Sequence, residues 1–122
     1  MHNWATIQKE QQELCSRLQT DWTPIDPNAI IGFNRSLFSG TMPVNGLRHP
    51  KHGNATGWYL WTGGEIPLND DHFFEPIHAG HLLDNYTWLF KYLGLPAGWR
   101  FQIDTSGYED VWFDKSLRII NN

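Results

Sequence analysis

Apolar residues recur at helical spacing in two segments of the chain and at alternating spacing in three others. Between residues 3 and 20, Trp4, Ile7, Leu14 and Leu18 fall on one stripe with Gln11 in the missing step, which predicts an amphipathic helix. Glu13 and Arg17 have the spacing to pair on its polar side. Asp21-Trp22-Thr23-Pro24 ends it, because proline disfavours helix in the residue before it. The stripe is narrow, so the helix is expected to be peripheral, at the edge of the domain. From 76 to 93 the pattern is stronger: Ala79, Leu82, Leu83, Tyr86, Leu89, Phe90 and Leu93 step three and four apart. Pro76 suits the first helical position, Gly94 the left-handed position after the last turn, and Pro96 prevents resumption.

Residues 29–38 predict a strand with Ile31 and Phe33 on one face. Residues 39–57 carry Gly40, Pro43, Asn45-Gly46, His49-Pro50 and Gly53, the punctuation of a long loop. Such length without regular structure is unusual in a compact domain and points to function or disorder. Trp58, Tyr59, Leu60 and Trp61 then predict a buried strand ended by Gly63-Gly64. Near the end, Trp99, Phe101 and Ile103 alternate with Arg100 and Gln102, Thr105-Ser106-Gly107 reads as a turn, and Val111 and Phe113 alternate with Trp112 and Asp114. That is a β-hairpin with one face buried. The expected architecture is a single α+β domain over 1–122, an antiparallel β-sheet with two main helices, the second packed on the sheet.

Charge and cysteine content narrow the function classes. Nine Lys and Arg against thirteen Asp and Glu leave a net charge of −4, which argues against a nucleic-acid binder needing a basic footprint. Protonating all six histidines would reverse that sign, so the surface charge is sensitive to mildly acid pH. A lone cysteine, Cys15, excludes an internal disulfide and suits a reducing compartment. The first residues carry neither a basic nor an apolar leader region, and no apolar run has membrane length; a cytoplasmic location without membrane partners is expected.

Four stretches together carry a resemblance: Leu47-Arg48-His49-Pro50-Lys51-His52-Gly53; Gly57-Trp58-Tyr59-Leu60-Trp61; Phe73-Phe74-Glu75-Pro76-Ile77-His78 with His81-Leu82; and Lys91-Tyr92-Leu93-Gly94-Leu95-Pro96 through Gly98-Trp99-Arg100-Phe101 to Tyr108-Glu109-Asp110-Val111-Trp112-Phe113-Asp114. They resemble the small bacterial immunity-protein-thirty-three-like domain, over about residues 30–117. The resemblance implies a bacterial origin and a role beside polymorphic toxins, in which a small cytoplasmic protein neutralises a toxin. It implies no catalytic residues.

Two sets of side chains could carry chemistry. His49 and His52 lie in the long loop, while Glu75, His78 and His81 stand three apart at the start of the second helix. A metal would need three or four such ligands in one cleft, and the spacing matches no established zinc signature. The plainer expectation is that these residues pin the 48–53 loop to the helix, with no metal and no cofactor. The second set is the hairpin: Asp104, Glu109, Asp110 and Asp114 with no base among them, and Trp112 opposite the apolar face. Acids steer association with basic partners, and Trp is enriched at binding hot spots. Adjacent strand residues point to opposite faces, so Glu109 and Asp110 make a poor acid–base pair. Cys15 lacks the setting of a reactive thiol, and the run Arg48, His49, Lys51, His52 has the character of solvated loop charge. The expected function is direct, non-catalytic binding of a cognate toxin through Asp104, Glu109, Asp110, Trp112 and Asp114. The alternatives are a small-ligand or metal-binding domain, or enzyme, using the histidine cleft, and a domain that self-associates.

Overall fold

The computed structural model describes residues 4–67 and 70–118. Helix α1 spans Trp4–Arg17; Asn3, the first residue of the expected helix, lies outside the described residues. Six strands follow: β1 (Ile30–Phe33), β2 (Val44–Arg48), β3 (Ala55–Thr62), β4 (Glu75–His78), β5 (Trp99–Ile103) and β6 (Glu109–Phe113). They form one sheet in the order β4-β1-β3-β2-β5-β6. β1 runs parallel to β3, and every other neighbouring pair is antiparallel. The class is α+β, as the patterning predicts.

The largest difference from expectation is β2. The segment expected as a loop contains a strand of five buried residues between β3 and β5. Asn45-Gly46 is not a turn here. Gly46 is a strand glycine because Phe101 lies across it: a Cβ on Gly46 would sit 2.3 Å from the Phe101 ring. The predicted strand at 29–38 is shorter; Asn34 caps a 3-10 turn at Arg35–Ser39 by accepting from the Ser36 N–H.

The second helix also begins later than its pattern suggests. Glu75–His78 is edge strand β4, paired antiparallel with β1. Pro76 sits there because an edge strand tolerates a missing N–H. The helical segment that follows is composite: a 3-10 turn at Ala79–Leu82, one α-turn at Leu83–Tyr86 (α2) and a 3-10 stretch at Thr87–Tyr92. Gly94 is not left-handed. It is small because a Cβ would lie 2.8 Å from Gln11 Cβ and 2.9 Å from the Trp22 ring.

One face of the sheet packs against α1 and residues 79–95. Ile31, Val44, Trp58, Leu60, Phe101 and Ile103 meet Ile7, Leu14, Leu82, Leu89 and Phe90 there in one buried cluster. Helix α1 is therefore a wall of the core rather than a peripheral element. Gln11 is fully buried in it, donating to Phe90 O at 2.9 Å and accepting from Trp22 Nε1 at 3.1 Å. The opposite face carries a smaller cluster in which Leu47, Trp61 and Leu117 pack with Tyr59, Ile66, Phe73 and Phe74.

Arg48 overturns the expectation of solvated loop charge. It is only 2% exposed. Its Nε donates to Thr56 O at 2.9 Å, and Nη1 donates to Thr23 O at 2.8 Å and to Leu95 O at 2.9 Å. The guanidinium also lies 5.6 Å from the Trp58 ring. Burial pushes its pKa down to about 10, well above neutral, so it stays cationic while binding three segments of chain together.

Candidate functional site

The β5–β6 hairpin is closed by its own turn chemistry. Gly107 takes a φ of +107°, which suits glycine. The Asp104 carboxylate accepts from Ser106 N and Oγ, each at 2.8 Å, and from Tyr108 N at 3.0 Å. These bonds, led by the Ser106 hydroxyl, hold its pKa below the ordinary carboxylate range.

Along β6 the period of two sorts the side chains. Val111 packs on the main core, on the face shared with α1. Glu109 points the same way and is held from two helical segments: by Arg17 at 3.1 Å, by Lys91 at 3.6 Å and by the Tyr92 hydroxyl. The Tyr92 hydrogen bond, with Lys91 and Arg17, lowers the Glu109 pKa, and burial together with Glu109 raises that of Tyr92. Arg17 thus pairs with the hairpin, where the helical spacing pointed to Glu13.

Asp110 and Trp112 face the other way. Opposite them across the ladder are Gln102 and Arg100. The Arg100 guanidinium lies 5.5 Å from the Trp112 ring centroid and 3.3 Å from Asp114. Asp114 also accepts from Ser116 N and Oγ, the Ser116 hydroxyl being the main cause of its lowered pKa. A chain of amide bonds runs beside this row: Tyr108 hydroxyl to Gln102 Oε1 at 2.9 Å, Gln102 Nε2 to Asn45 Oδ1 at 2.8 Å, and Asn45 Nδ2 to Gly63 O at 3.0 Å. Between Trp61, Ile66, Arg100 and Trp112 lies an open depression of about 340 Å³. The buried Arg100 Nε has no hydrogen-bond partner.

Three rings on this hairpin are exposed: Tyr108 at 45%, Trp112 at 37% and Phe113 at 45%. Phe113 was expected on a buried face. It caps the sheet edge instead, with its ring 5.7 Å from that of Trp99 and too close to Gly98 for any Cβ.

The histidines do not assemble. His78 and His81 touch each other at 5.5 Å between ring centroids, and His49 touches Tyr59 at 5.6 Å, with its Nδ1 3.3 Å from Leu117 O. His52 is exposed and bridges Ala55 through backbone. Glu75 shares a strand with His78, so the two point to opposite faces, and Glu75 forms a two-point pair with Arg35 at 2.7 and 3.2 Å. Among the described residues no three His, Cys, Asp or Glu side chains form a metal-ligand group. Cys15 is buried, and burial, then Asp21, raises its thiol pKa. Among the described residues no helix is long and apolar enough to cross a membrane.

The fold is an α+β domain whose β5–β6 hairpin carries three exposed rings, Tyr108, Trp112 and Phe113, beside the exposed Asp110. The chain belongs to the Imm33-like domain family, which it matches over residues 10–114, a span that takes in most of α1 as well as the sheet. No curated protein and no solved structure matches it.

Proposed function

We propose that this protein is a cytoplasmic, non-catalytic immunity protein that neutralises a cognate bacterial toxin by binding it directly. Membership of an immunity-type family over residues 10–114 is the observation that carries this reading. The docking surface is the outer face of the β5–β6 hairpin. Asp104, Glu109 and Asp114 are committed to bonds within the fold, so of the five candidate residues Asp110 and Trp112 are the ones that meet the partner. Arg100 backs the Trp112 ring and fixes its orientation. Asp110 supplies the rim charge that accelerates association with a basic toxin, and Trp112 the aromatic anchor that slows dissociation.

The test is co-expression with a partner identified by pull-down or from the adjacent reading frame. Wild-type chain should restore growth and co-purify with the toxin in a fixed ratio. Trp112→Ala should raise the dissociation rate about tenfold or more, the scale of a lost hot spot. Asp110→Lys should slow association at low salt and matter less at high salt. Protection by substoichiometric chain, with covalently altered toxin, would refute direct binding.

A further inference from the structure

We propose that two copies of this chain pair edge to edge through β6, antiparallel, with Val111 on the two-fold axis. The inference concerns the chain alone and is independent of the toxin reading.

The sheet has two edges, β4 and β6. β4 is blunted by Pro76, which has no N–H to offer, and by the Glu75–Arg35 pair. β6 contains no proline. Its inward bonds are fixed by two flanking ones, Asp104 N to Tyr108 O and Asp114 N to Gly98 O. In an antiparallel ladder hydrogen-bonded pairs alternate, so the even-numbered residues of β6 bond β5. Glu109, Val111 and Phe113 therefore turn their N–H and C=O groups outward. Three consecutive donor–acceptor sites, with Trp112 and Phe113 exposed beside them, make a template for another strand.

Charge selects a second copy of the same strand in one register. With Val111 opposite Val111, Glu109–Phe113 overlaps its mate over its whole length. Asp110 of each copy then faces Trp112 of the other, and Glu109 faces Phe113. No acid lies directly opposite an acid. A slip that centres the axis on Glu109 or Asp110 sets that residue against itself, and centring on Trp112 sets Asp110 against Asp114; like charges directly opposite are destabilising. Centring on Phe113 runs the pairing into the 3-10 turn at Lys115–Arg118. In the favoured register Asp110 enters the cross-strand row in which the other copy's Arg100 already stacks on Trp112, so an acid and a cation flank the same ring, and the two-fold axis repeats that arrangement. Both hairpin outer faces stay on one side of the continuous sheet. Such self-complementarity is what an isologous interface requires.

Sedimentation velocity on the purified, reduced full chain tests this. The wild type should sediment at twice the monomer mass, dissociating on dilution. Val111→Pro deletes the N–H used at the axis and leaves the ladder to β5 intact; it should sediment as a folded monomer with unchanged far-ultraviolet circular dichroism. A second pair of variants reads the register. Under mild oxidation Val111→Cys should form an inter-copy disulfide, since opposed Cα atoms about 5.5 Å apart suit one, whereas Asp110→Cys should not. Buried Cys15 stays unreacted. A wild type that remains monomeric to its solubility limit overturns the proposal, and so does a dimer indifferent to a folded Val111→Pro. If Val111→Pro fails to fold, the cysteines decide: crosslinking of Asp110→Cys at least as efficient as that of Val111→Cys overturns it.

Discussion

Gly46 offers the sharpest test of the fold, because a loop glycine and a central-strand glycine respond oppositely to alanine. In the sheet, a Cβ at position 46 would lie 2.3 Å from two atoms of the Phe101 ring. Carbon atoms pack at roughly 3.5–4.0 Å, so the ring must retreat by more than 1 Å. It has nowhere to go: Tyr92 stacks on one side with centroids 5.1 Å apart, and Trp58 lies at 5.5 Å. All three rings are buried. Overpacking of this kind costs roughly 1–3 kcal/mol, and with both escape directions filled Gly46→Ala belongs at the upper end.

The double-mutant cycle with Phe101→Leu isolates the cause. Phe101→Leu alone should cost about 1–2 kcal/mol from lost packing. Combined with Gly46→Ala it frees the space the methyl needs, so the pair should cost less than the sum of the singles by about 1–2 kcal/mol. Urea unfolding followed by tryptophan fluorescence measures all three. Were residues 39–57 an open loop, Gly46→Ala would fall within about 0.5 kcal/mol of wild type. That result, or strict additivity in the cycle, would refute the placement of β2.

Two further predictions concern charges. Glu109→Gln should cost about 1 kcal/mol or less at neutral pH, since its carboxylate is 30% exposed and its partners Arg17 and Lys91 are more so. The folded pKa of Glu109 is depressed, so its stabilisation is complete above its unfolded value of about 4.3 and disappears as pH falls through the folded value; the wild-type advantage over Glu109→Gln in urea midpoint should vanish in acid. Arg48→Lys should destabilise by about 1–3 kcal/mol, read from thermal unfolding, because an ammonium cannot reproduce the planar fork that reaches Thr56, Thr23 and Leu95 carbonyls together.

Where the chain writes a long regular alternation, the fold is legible. Trp58 to Trp61 and Trp99 to Ile103 lie on the strands their spacing predicts, and the stripe of α1 is buried. β2 escapes because its two diagnostic residues mislead. Asn45-Gly46 has turn chemistry, but Gly46 is there to make room for a ring 55 residues away in sequence, and Arg48 looks solvated until three distant carbonyls are brought to it. The start of the second helical segment is ambiguous in a different way. Glu75–His78 is short enough to satisfy either period, and pairing with β1, invisible locally, decides for strand. In the hairpin the period of two already separates Glu109 from Asp110 and puts Trp112 opposite Val111. The partners that commit Glu109 come from α1 and from Lys91 and Tyr92, contacts that only the tertiary fold supplies.

That separation gives the acids of β6 different jobs. Glu109 ties an edge strand to both helical segments through Arg17, Lys91 and Tyr92, so replacing it loosens the strand before it changes any surface. Asp110 makes no such tie and stands beside the exposed Trp112 on the outer face. A charge reversal at both positions would mix a stability loss with an interface effect. Single substitutions separate them: Glu109 variants should move the unfolding midpoint, and Asp110 variants the association rate or the dimer mass. The same odd–even division leaves the backbone of Glu109, Val111 and Phe113 turned outward while the side chains of Glu109 and Val111 anchor the strand inward. A strand held on one face by ion pairs and core contacts needs less ordering when its outer face or its free edge is bound, which lowers the entropic cost of any such contact.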